Sequence, residues 1–126
     1  MEEFNKKIII AENEPIIALD LQKILSQHGL KVTAQFSRVN QVFDYIKKDT
    51  PDLLISALYL EKSKIYFNEL INLVNEKHFK IIFLSAAMPM KTKIKSSDNI
   101  SFIKKPFKNE DLVSLVYNSL QLKTEK

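Results

Sequence analysis

The chain has no cysteine, one glycine and one arginine, and each scarcity removes a class of function. Without cysteine there is no disulfide framework, no thiol nucleophile and no thiolate metal site. Gly29 alone cannot build the glycine-rich phosphate loops of dinucleotide and P-loop nucleotide sites. Long apolar runs are also missing, and none approaches the roughly 20 residues needed to span a bilayer, so no membrane partner is expected. The segment from Met1 to Lys7 is charged and precedes only a short apolar run, unlike a secretory signal, so the expected location is cytoplasmic. Arg38 stands among scattered lysines in a net charge of +4. Base-edge and phosphate recognition favours the bidentate arginine fork. The basic excess therefore reads as a solvated lysine surface, and no nucleic acid partner is expected.

What remains is an ordinary globular composition, 45% apolar and 27% charged over 126 residues, enough for one domain spanning residues 1–126. Its central stretch is Pro51-Asp52-Leu53-Leu54-Ile55-Ser56-Ala57-Leu58. A turn signal feeds a short apolar run without alternation, the pattern of a strand buried on both faces of a parallel sheet. Lys6–Ala11 and Lys80–Ser85 read the same way, Lys31–Phe36 alternates like an edge strand, and Ser101–Ile103 gives a short fifth strand. Helices are expected between them. The first is capped by Asn13 and ended by Gly29, the second is capped by Ser37, and the third lies within Ser63–Glu76. A short, irregular fourth falls within Ala86–Asn99, and Asn109 caps the last. Five alternations of strand and helix argue for an α/β domain with a parallel sheet and right-handed crossovers.

In such sheets function sits beyond the carboxyl ends of the strands. Glu12 and Asn13, Ala57, Ser85 and Lys105 occupy those ends. The pieces Ile8-Ile9-Ile10-Ala11-Glu12-Asn13-Glu14-Pro15, Pro51–Ala57, Ile82-Phe83-Leu84-Ser85-Ala86 and Phe102-Ile103-Lys104-Lys105-Pro106-Phe107 follow in an order and spacing that resembles the receiver domain of two-component response regulators. The resemblance covers essentially the whole chain. It implies a flavodoxin-like, doubly wound domain with strand order 2-1-3-4-5 and about five helices. It also implies an acidic pair holding Mg²⁺, an aspartate on the third strand that accepts a phosphoryl group from a histidine kinase, and a Ser or Thr with a Lys contacting that group. An aromatic on the fifth strand completes the switch, a position held here by Phe102.

The sequence departs from that pattern at its reactive centre. Ala57 occupies the acceptor position, and the acidic pair has become Glu12 and Asn13. Glu12 is then the one carboxylate left of three, a poor anchor for Mg²⁺, so no cofactor is expected. Ser56 precedes the acceptor position and points to the opposite face of a strand; Tyr59 and Glu61 follow in a loop. No Ser-His-Asp set, catalytic carboxylate pair or His/Cys cluster is visible, and His28 and His78 read as structural, so no enzyme activity is expected. The expectation is a pseudo-receiver working by phosphorylation-independent protein–protein contact, with a histidine kinase or another response regulator as partner. The usual partner face, formed by the fourth helix, fifth strand and fifth helix, could also serve a homodimer. Here its fourth-helix region carries Met88, Met90, Lys91, Lys93 and Lys95. The alternatives are a phosphorylatable receiver with an engineered substitution at position 57, or a non-signalling α/β binding module.

Overall fold

Strands and helices follow one another along the described residues. The computed structural model describes residues 5–58, 60, 66–85 and 99–122. Within them the order is β1 (Ile8–Ala11), α1 (Pro15–Ser26), β2 (Val32–Phe36), α2 (Val39–Lys48), β3 (Leu53–Ala57), α3 (Tyr66–Lys77), β4 (Lys80–Ser85), β5 (Ile100–Lys104) and α4 (Asn109–Leu120). The five strands form one parallel sheet ordered β2-β1-β3-β4-β5, the flavodoxin-like arrangement expected. Four helices lie among the described residues, and the expected short helix falls almost wholly outside them.

The unbroken apolar runs have a direct cause, since both faces of the central strands are covered. Ile9, Leu54, Ile81 and Phe83 face Val42 and Ile46 of α2 and Tyr66, Phe67, Leu70 and Val74 of α3. Ile8, Ile10, Leu53, Ile55, Ile82 and Leu84 face Leu21 and Leu25 of α1 and Leu112, Val116 and Leu120 of α4. Each such side chain contributes about 1.5–3 kcal/mol when fully removed from water. By contrast, β2 alternates half-buried and exposed residues because it lies at the sheet edge.

Three expected N-caps are displaced by one residue. The caps are Glu14, Arg38 and Lys108 rather than Asn13, Ser37 and Asn109, and none makes a side-chain capping bond. Pro15 fixes the first boundary, because its ring suits the first helical position, where the missing N–H costs nothing. Beyond the other end of α1, Gly29 takes φ 75° and the Leu30 N–H closes on the Leu25 carbonyl at 2.9 Å.

Candidate functional site

The parallel register brings the ends of four strands to one edge. Ala11 pairs with Ser56, Ala57 with Leu84, and Ser85 with Lys104. Glu12 follows β1, and its side chain is 1% exposed. Its Oε2 accepts the Glu14 N–H at 3.0 Å, at the mouth of α1. Its Oε1 accepts Lys105 Nζ at 3.3 Å. Lys105 follows β5 and is itself anchored by its backbone N–H, which donates to the Ser85 carbonyl at 2.7 Å. The peptide bond from Lys105 to Pro106 is cis.

Sheet order gives this ion pair its meaning. β3 and β4 lie between β1 and β5, so Lys105 reaches across the ends of both to meet Glu12. Ala57, nearly buried, contributes only a methyl group there. Ser85 is also buried, whereas Asn13 stays exposed. Lys105 also lines a cavity of about 540 Å³ between α1 and the start of α4, with Ile17, Asp20, Ile24, Pro106 and Phe107. Phe102 is half-buried and stacks on Phe83 with ring centroids 5.5 Å apart, with Phe67 beyond at 6.4 Å. Tyr59, Glu61, Met88, Met90, Lys91, Lys93 and Lys95 lie outside the described residues.

The donor set does not suit a divalent cation. Among the described residues Glu12 is the buried carboxylate at the strand ends, and each of its oxygens already accepts a donor, one an ammonium and one an amide. A hard ion such as Mg²⁺ needs one or two free carboxylates with further oxygen ligands. Among the described residues no group of three or more metal-capable side chains is present.

One feature near the crevice escaped the reading of the sequence. Ser56 and Tyr66 are both fully buried, and their hydroxyls meet at 2.7 Å. The Ser56 hydroxyl also donates to the Ala57 carbonyl at 2.8 Å. Ser56 does point away from the crevice face, and it thereby ties the end of β3 to the first residue of α3. A serine inside an otherwise apolar, doubly buried strand was the available signal, because a buried hydroxyl must find a partner.

A doubly wound parallel sheet whose strand ends gather an acid, a small hydroxyl residue and a lysine before proline defines a class of α/β signalling module. The response regulator receiver domain model matches residues 8–117, and the chain belongs to that family. Among solved structures it is similar to the response regulator PhyR from Brucella abortus, with 16% identity, TM-score 0.79, and coverage of 95% of this chain and 49% of that one. The anti-anti-sigma factor PhyR from Bartonella quintana gives 16% identity, TM-score 0.77, and coverage of 94% and 49%. The receiver domain of PhyR from Erythrobacter litoralis gives 15% identity, TM-score 0.75, and coverage of 100% and 96%. The chain thus spans about half the length of the longer neighbours. No curated protein matches it.

Proposed function

We propose that this receiver domain is a pseudo-receiver, acting by protein–protein contact without accepting a phosphoryl group and without catalysing a reaction. The observation that carries the reading is the Lys105–Glu12 pair spanning the strand ends above Ala57. A lysine that would otherwise neutralise charge on a transferred phosphoryl is already matched by a buried carboxylate. Ala57 offers no nucleophile, and a cation would have to share or displace the donors that both Glu12 oxygens already hold. The crevice is electrostatically closed on itself. Asn13 supports a degenerate site over a single engineered change, since two positions of the reactive set depart from the family together.

The partner in this reading is a protein, such as a histidine kinase or a second response regulator. Ile16 and Leu19 are large apolar side chains that α1 leaves in solvent, 77% and 52% exposed, and they supply a contact surface. That the neighbour from Bartonella quintana is an anti-anti-sigma factor agrees with action through protein binding.

Treatment with acetyl phosphate and Mg²⁺, read by intact mass, is the test. The wild-type chain should gain no phosphoryl group, and Ala57→Asp combined with Asn13→Asp should gain one. Labelling of the wild-type chain would sink the proposal, and mapping the labelled residue would identify the substitute acceptor.

A further inference from the structure

Among the described residues basic charge gathers at one end of the strand axis, and the crevice at the other end uses none of it. Strand starts and the C-terminal ends of helices meet at that basic edge. Lys6 and Lys7 precede β1, Lys31 precedes β2, Lys80 opens β4, Lys47 and Lys48 end α2, and Lys77 ends α3. Lys23 lies in the last turn of α1, and among the described residues Asp49, Asp52 and Glu76 stand against these eight lysines. Lys7 is committed to Asp49 at 2.7 Å, and its backbone N–H to the Asp52 carboxylate, also at 2.7 Å. Lys31, Lys47 and Lys48 are exposed, and Lys77 is half-exposed.

Helix dipoles account for part of this pattern, because a basic residue is favoured in a last turn, as at Lys47, Lys48 and Lys77. They do not account for Lys6, Lys31 or Lys80, which stand at strand starts. We infer that this lysine edge is an interaction surface for an acidic segment of a protein partner.

The chemistry of the edge selects that occupant. Arg38, the one arginine, lies at the N-terminal end of α2, on the crevice side, so the edge has no guanidinium fork for bases or paired phosphate oxygens. Asp49, Asp52 and Glu76 are interleaved with the lysines and repel a continuous phosphate backbone, whereas separate carboxylates on a flexible chain can settle between them. Among the described residues the exposed large apolar side chains are Ile16 and Leu19, in the first half of α1, so the described part of the lysine edge offers no apolar wedge for a lipid surface. Complementary charge of this kind speeds encounter and fixes orientation, and salt screens it as the Debye length falls from about 30 Å at 0.01 M to about 8 Å at 0.15 M.

The test is fluorescence anisotropy with a labelled oligoglutamate peptide. The peptide should bind at low ionic strength, and its affinity should fall at least about tenfold on going to physiological salt. The triple variant Lys31→Glu, Lys47→Glu, Lys48→Glu should weaken binding by about tenfold or more, and the triple Lys→Gln variant by less. Lys104→Glu with Lys108→Glu, at the crevice end, should weaken binding clearly less than the edge triple when both are read near 0.1 M salt, where the Debye length is about 10 Å. Far-UV spectra of every variant check that it is folded. Three results would each overturn the inference: no peptide binding at low salt, equal losses in the two sets of variants, or tighter binding of duplex DNA or phosphatidylserine vesicles than of the peptide.

Discussion

Ser56 and Tyr66 place two hydroxyls where neither reaches water, and their mutual bond decides what that costs. Burial pushes the Tyr66 phenol above its ordinary value near 10; the Ser56 hydrogen bond pulls it back somewhat, and the Glu12 charge pushes it up further. The consequence for stability has a definite sign. Below pH 10 the phenol is protonated in both the folded and the unfolded chain and contributes no pH dependence. Above it the unfolded chain releases the proton while the folded chain keeps it, so stability falls as pH rises. Tyr66→Phe should therefore cost about 1 kcal/mol at neutral pH through the lost bond. It should also flatten the decline in stability above pH ~10. Urea unfolding of both proteins across the alkaline range measures this, and parallel declines would count against a buried, neutral Tyr66.

At the scale of the element, backbone handedness at helix ends gives a paired prediction. Gly29, after α1, and His78, after α3, both take positive φ, at 75° and 60°. A residue with a Cβ costs roughly 1–2 kcal/mol in that conformation. Gly29→Ala should destabilise by about that amount, and His78→Gly should stabilise by somewhat less, since glycine also raises the entropy of the unfolded chain. Thermal melts with opposite signs at the two sites are the expected outcome, and a destabilised His78→Gly would show that the imidazole does more than end a helix. Gly29 could be read from the sequence because glycine advertises its conformation; His78 could not, because histidine carries no such signal and the positive φ arises where the chain turns from α3 into β4. The same contrast governs the rest of the elements. β3 and β4 were legible to the residue because two-sided burial leaves a run of apolar side chains with sharp ends. The N-caps were not, because residue type marks a preference while Pro15, and the Glu12 carboxylate on the Glu14 N–H, set the actual boundary of α1. The crevice was legible as a set of positions, Glu12, Ala57, Ser85 and Lys105. The pairing of Lys105 with Glu12 depends on strand order, which spacing along the chain does not carry.

At the scale of the whole molecule, the crevice charge is coupled to global stability through the sheet it crowns. In the wild-type chain one buried carboxylate faces one ammonium. Ala57→Asp with Asn13→Asp puts three carboxylates near Lys105 at the strand ends. Without a cation, their repulsion lowers stability, as like charges sharing a site resist joint ionisation. Mg²⁺ bound only by the folded chain repays that cost by mass action, about 2.7 kcal/mol at a hundredfold excess over its dissociation constant. For a domain of this size that amounts to a rise of roughly 10 °C in midpoint. Melting curves with and without millimolar Mg²⁺ should therefore separate for the double variant and coincide for the wild-type chain. A Mg²⁺-dependent shift in the wild-type chain would mean that the cation competes with Lys105 for Glu12, and the closed crevice would then be one of two states. A double variant indifferent to Mg²⁺ would mean instead that carboxylates at positions 12, 13 and 57 do not suffice to hold a cation in this scaffold.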